Sequence, residues 1–228
     1  MRMNTGIRII TATAMSTEAT LLLMQWLSPA YPVGAFAYSH GLERLIQSGA
    51  VHDAVSLRDW LHDVLKHGAG WSDALFLTAA WRAKSELAVA ELDDMARAFA
   101  GPFERRFEAA QQGAAFCGVT AAVWGIELTE LTYPVAIGCA ARHASLPVEP
   151  TARLYLHAFI SNLVSAAQRL MPLGQTAAQG VVRDMAPLCA NRAHAAVQAD
   201  LSALSGTAFL AEIAAMQHET QQPRIFRT

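Results

Sequence analysis

The chain has 228 residues, 53% hydrophobic and 16% charged, enough for one large buried core or two small domains, with a charge content near the low end for soluble domains. A net charge of −2 and an isoelectric point near 6.4 exclude the basic face that nucleic acid as principal partner requires. Cys117, Cys139 and Cys189 are far apart, odd in number and in no C-x-x-C pair. They read as reduced core thiols of a cytoplasmic protein, not as a disulfide framework or a zinc site.

In chain order, Arg2 and Arg8 precede a short Ile/Thr/Ala run that is too Thr-rich for a signal peptide, so residues 1–15 are expected to be a flexible N-terminal tail. Ser16 or Thr17 caps a first helix to Leu27. A loop with Pro29, Pro32 and Gly34 follows, and Ser39 opens a second helix that ends at Gly49. Ser56 with Asp59 three residues on resembles a capping box for a helix to about His67. Apolar periodicity then predicts helices over residues 72–84, 86–100, 103–117, 136–142, 151–170, 176–201 and 207–216. The strand-like runs at 6–10 and 181–182 are too short to count. With no repeat and no linker, the expected fold is all-α, a single-domain bundle of about eight to ten helices over residues 16–217.

Residues 19–42 and 109–126 contain no Asp, Glu, Lys or Arg and are about as long as a membrane span. Pro29, Pro32 and Gly34 break the first, and Gln111, Gln112, Gly113 and Gly118 dilute the second. Both are expected to be buried in protein, with no membrane partner. The low charge reads either as a plain alanine-rich helical protein or as apolar surface covered by other chains; the second reading predicts a symmetric homodimer through helical faces.

No phosphate-loop, dinucleotide, zinc-protease or serine-hydrolase motif is present. His52, Asp53, Asp59, His62, Asp63 and His67 form the densest ligand-like group. Asp59, Asp63 and His67, at i, i+4 and i+8, could hold a metal weakly; the other reading is a solvated face paired to Arg58 or Lys66. Arg105 and Arg106, beside Glu104 and Glu108, read as a surface salt-bridge network or as an arginine finger. In the aromatic turn, Tyr31 and Phe36 could anchor a loop to the core, whereas Tyr38, Ser39, His40 and Glu43 present hydrogen-bonding groups at a helix start.

The 151–170 helix must stop near Met171, because Pro172 disfavours the α conformation before it. Gly174 supplies a permissive backbone at positive φ, and the next helix starts at Gln175 or Thr176. Arg169, Gln175 and Gln179 thus crowd a tight elbow whose polar, little-charged groups suit recognition better than acid–base chemistry. Replacing Gly174 by Val is expected to damage it. Beyond Met216 the helical period ends, Pro223 blocks a helix, and Ile225-Phe226 stand between Arg224 and Arg227. This is a frayed end or a segment that orders on an acidic partner surface, Phe226 being its apolar anchor.

Three segments carry a family resemblance. They read LLLMQWLSPAYPVGAFAYSHGLE at 21–43, RLMPLGQTAAQG at 169–180 and HETQQPRIFRT at 218–228. Together and in this order they resemble the UreF family of urease accessory proteins. The family's central segment, close to S-R-E-x-R…G, matches only loosely at Glu104-Arg105-Arg106-Phe107-Glu108 and Gly113, and no role is carried onto it.

The resemblance implies a non-catalytic nickel-insertion chaperone, commonly a homodimer. It would join a UreD/UreH-type protein to the GTPase UreG for maturation of apo-urease. Nickel and GTP would be handled by the partner complex, with no tightly bound cofactor and no metal site of its own. The implied partner-binding residues are Tyr38, Ser39, Glu43, Arg169, Gln175, Gln179, Arg224, Phe226 and Arg227, with Pro172 and Gly174 as a structural turn. The 218–228 tail is expected to be poorly ordered alone, so that deleting it leaves the melting temperature intact. Alternatives are a GTPase-activating protein for UreG acting through an arginine, or a helical metal-dependent enzyme using the His52–His67 cluster.

Overall fold

A computed structural model describes residues 15–227. Residues 1–14, with the strand-like run and nearly all of the expected N-terminal tail, and Thr228 lie outside the described residues.

The described residues form ten α-helices and no strand: α1 Thr17–Trp26, α2 Leu42–Gln47, α3 Ala54–His67, α4 Ala69–Arg82, α5 Glu86–Phe99, α6 Phe103–Trp124, α7 Tyr133–His143, α8 Val148–Leu170, α9 Gln175–Gln198 and α10 Phe209–His218. Short 3-10 turns cover Ala35–Ala37 and Leu201–Ala203. The predicted all-α bundle is what forms.

Caps explain several starts. Ser16 accepts the amide of Ala19 at 3.1 Å, and Ser85 that of Ala88 at 3.2 Å. The α3 capping box is shifted from the expected one. Asp53 is the cap, accepting Ser56 N at 2.8 Å, and Ser56 Oγ accepts Asp53 N at 3.1 Å. Ser56 is therefore the third helical residue of its box, not the cap.

α4 is the central helix. Trp71, Leu75, Phe76, Leu77 and Ala80 are buried around its circumference, and α3, α7, α8 and α9 all pack on it. A helix apolar on every side belongs inside a bundle. α8 and α9 pack along one another beyond the elbow, α6 lies on α7, and α10 lies on α2. α6 runs past the expected end at Cys117, because its inward face continues through Phe116, Cys117 and Thr120; Gly125 ends it at φ 66°. Trp26 meets Phe116 edge-on at 5.6 Å in the core.

The elbow corrects one expectation. Gly174 has φ −66° and ψ 152°, and a Cβ added there meets nothing within 4 Å. The chain is extended from Met171, at φ −142° and ψ 162°, so no positive φ is needed. Pro172 remains the stop signal.

No helix among the described residues is long and apolar enough to cross a membrane. The three thiols are free and buried, and burial pushes Cys139 up to about 11 and Cys189 to about 12.

Candidate functional site

The first site grows from the backbone after Tyr38. His40 and Gly41 both adopt left-handed conformations, at φ 55° and 76°. At Gly41 glycine is required twice over: a Cβ would stand 2.6 Å from the amide nitrogen of Ala215. That close approach seats α10 on α2 and brings His218, at the end of α10, over Glu43 in the first turn of α2. His218 Nδ1 lies 2.8 Å from Glu104 Oε2, and its Nε2 lies 3.1 Å from Glu43 Oε2. The imidazole is wholly buried between the two carboxylates.

The same carboxylates hold the tail. Glu43 accepts the amides of Ile225 at 2.7 Å and Phe226 at 2.9 Å, Glu104 Oε1 takes Arg224 Nη1 at 2.9 Å, and Arg227 N donates to Ala37 O at 2.8 Å. Arg169 lays its guanidinium over the Phe226 ring, 4.3 Å from the centroid. Burial pushes the Glu104 carboxyl up, against the opposing pull of His218 and Arg224. Four segments far apart in sequence thus meet at one place.

The expectation of a tail without an intramolecular partner is therefore corrected. Phe226 is 3% exposed within this chain. The sequence could not show this, because the receiving groups come from α2, α6 and α8 and not from a helix face next to the tail.

Of the predicted residues, Tyr38, Ser39, Glu43 and Phe226 are buried and act as internal anchors, while Arg169, Arg224 and Arg227 are exposed around them. Gln175 and Gln179 are exposed at the start of α9, and their side chains make no hydrogen bond among the described residues, so the structure does not join them to this group. Exposed Pro172 lies in the elbow.

A second polar group lies deeper. Glu104, Arg105 and Glu108 are not a surface network: positions 104, 105, 108 and 112 share the inward face of α6, and of residues 104–108 Arg106 and Phe107 point outward. Glu108 accepts Arg105 Nη1 at 2.6 Å and Gln112 Nε2 at 2.8 Å, and meets His40 Nε2 at 2.8 Å. Asp73 of α4 accepts the Tyr155 hydroxyl at 2.8 Å and stands 4.0 Å from Arg105 Nη2.

For Glu108, burial alone would raise the pKa, but His40 and Arg105 outweigh it and hold the carboxyl at about 2. Burial, then Arg105, lowers His40. Burial raises Asp73. Two cavities, of about 500 and 450 Å³, flank the Asp73–Arg105 pair. The inward spacing was the available signal for this group, and it was hidden by reading the charges as solvated.

The His52–His67 set does not converge. His52, Asp53, Asp59, His62, Asp63 and His67 are all exposed, and among the described residues no three His, Cys, Asp or Glu stand together as metal ligands. Arg58 pairs with Asp184 of α9 at 2.9 Å, not with its own helix. Phe209, Leu210, Ile213 and Met216 of α10 are each more than half exposed, as is Phe103 of α6. Sequence reading missed this apolar face, although its spacings of one, three and three were on view.

A model of the UreF family matches residues 51–186. A urease accessory protein UreF of Ruegeria pomeroyi is 54% identical over 216 residues, covering 94% of this chain and all of that one. The proteins of that name from Roseobacter denitrificans and Bradyrhizobium diazoefficiens are 49% and 40% identical, each over 94% of this chain and 96% and 94% of their own.

Proposed function

The chain belongs to the UreF family, and we propose on that footing that it is a non-catalytic accessory protein of urease maturation. In this reading it is a scaffold, joining a UreD/UreH-type protein and the UreG GTPase on the way to apo-urease, with nickel and GTP carried by those partners. The observation that carries the reading is the convergence around Glu43. Buried His218, Glu104, Glu43 and Phe226 fix the backbone of the tail, and this leaves Arg224, Ile225 and Arg227 outward beside Arg169. Ile225 is 71% exposed between two arginines. An apolar residue framed by guanidinium groups on a rigid base suits an acidic partner surface with an apolar centre. The tail thus binds as a preformed surface, which spares the ordering cost of a free end.

The arginine-finger alternative gains nothing from Arg105, which is buried on Glu108 and His40. The metal-enzyme alternative has no convergent ligand set among the described residues.

The test is co-purification of the full chain with a UreD/UreH-type protein and UreG, with and without GTP and nickel. Replacing Ile225 and Arg227, both exposed, by Glu should abolish recovery of the partners while circular dichroism still shows the helical fold. Full recovery with the double variant would remove this surface from the reading.

A further inference from the structure

The cavity of about 500 Å³ lies between α1, the loop after it and α8. Leu27, Val33, Leu154 and Ala158 line its walls, and Met24 and Phe36, 60% and 67% exposed, stand at its mouth. Its volume falls in the range of small-molecule sites.

The floor is ionic and unevenly matched. Asp73 and Glu108 supply two carboxylates, and Arg105 supplies one guanidinium. Arg105 Nη1 is committed to Glu108 at 2.6 Å and lies 2.9 Å from His40 Nε2. Asp73 receives the remainder: the Tyr155 hydroxyl on Oδ2, and Arg105 Nη2 at 4.0 Å. No described residue hydrogen-bonds its Oδ1, and 15% of its side chain is exposed; Asp73 lines this cavity and the neighbouring one. Tyr133 also lines the cavity, and His157 stands exposed at the rim. A carboxylate in apolar surroundings whose counter-ion is 4.0 Å away and shared with a second carboxylate is costly, and a cation arriving there is held more strongly than in water. Burial is the main cause of both the raised Asp73 and the lowered His40; Arg105 opposes the first shift and adds to the second.

A bare metal ion does not fit, because no three His, Cys, Asp or Glu gather among the described residues. The apolar walls call for a ligand with its own apolar body. We propose that this cavity binds an alkylammonium or alkylguanidinium group, its head on Asp73 and its stem along Leu27, Val33 and Leu154. The group is a free amine or the Lys or Arg side chain of another protein, and the site does not depend on what the tail surface meets.

The test titrates the full-length protein calorimetrically with pentylguanidinium chloride, pentylammonium chloride and the capped peptide Ac-Leu-Arg-Leu-NH2, with pentanol as the neutral control. At least one cationic probe should saturate one site at millimolar concentration, with pentanol roughly tenfold weaker or more. Asp73→Asn keeps an acceptor for Tyr155 and should weaken the cation roughly tenfold while leaving pentanol unchanged. Ala158→Trp fills the mouth from the α8 side and should abolish binding of every probe; it decides the matter if Asp73→Asn does not fold. Saturation by the peptide alone assigns the site to a partner's side chain, and saturation by the free cations alone assigns it to a small amine. The proposal is overturned if no cationic probe saturates, if pentanol binds as well as the cations, or if both variants bind like the parent protein.

Discussion

Glu108 shows how one buried residue sets a pH dependence. Its folded pKa, about 2, lies below its usual 4.5, so the ionised form is favoured by folding. The stabilisation is complete above about pH 4.5 and is lost as pH falls towards 2. His40, lowered from 6.5, acts in the same sense at higher pH: below 6.5 the unfolded chain takes up a proton that the folded chain resists. Glu108→Gln leaves Arg105 buried without its closest counter-ion and should cost about 3–5 kcal/mol at pH 7. Urea titrations at pH 7, 5, 4 and 3 should show the gap between the parent protein and the variant narrowing below pH 4.5. A gap constant across that range would mean that Glu108 is not held ionised by these partners.

Two elements behave differently from their sequence signals. The elbow between α8 and α9 looks glycine-dependent, yet Gly174 is extended and open around its Cβ. Gly174→Val should therefore cost no more than about 1 kcal/mol, from the poorer N-cap of α9 and not from backbone strain, read as a small fall in the denaturation midpoint. The tail looks dispensable for folding, yet it closes over Glu43, Glu104 and Arg169. Deleting residues 219–228 exposes those groups and removes Phe226, a loss of about 1.5–3 kcal/mol for the ring alone. The melting temperature should fall by roughly 3–12 °C, measurable by circular dichroism. An unchanged transition would return the tail to a loosely attached end.

At the scale of the whole molecule, α10 carries one cluster of the uncovered apolar surface. Phe209, Leu210, Ile213 and Met216 line one face of α10, and Glu219 just beyond it accepts the amide of exposed Phe103 at 2.9 Å. A lone chain would leave this face in water, so association through it is expected, either with a second copy or with an accessory partner. Light scattering of the isolated protein should report a dimer at micromolar concentration, and Ile213→Glu should convert it to a monomer of unchanged helicity. A monomer in the parent protein, soluble without aggregation, would assign the face to a different chain.

The sequence by itself determined what depends on local period and composition. Apolar spacing predicts nearly every helix, Pro172 predicts the stop after α8, and three ordered motifs reveal the family. Those signals are short-range, and a helix needs only its own neighbours in sequence to declare them. Only the tertiary structure decided which charges are buried. Glu104, Arg105 and Glu108 look solvated as a string, but α10 packs on α6, and His218, His40 and Asp73 meet the face that carries them. It also decided that Phe226 packs inward, because its receptor is assembled from Glu43, Arg169 and the chain at Ala37, residues brought together only when α2, α8 and α10 are in place. Burial is a property of the partners a residue meets across the fold, and no spacing within one segment encodes it.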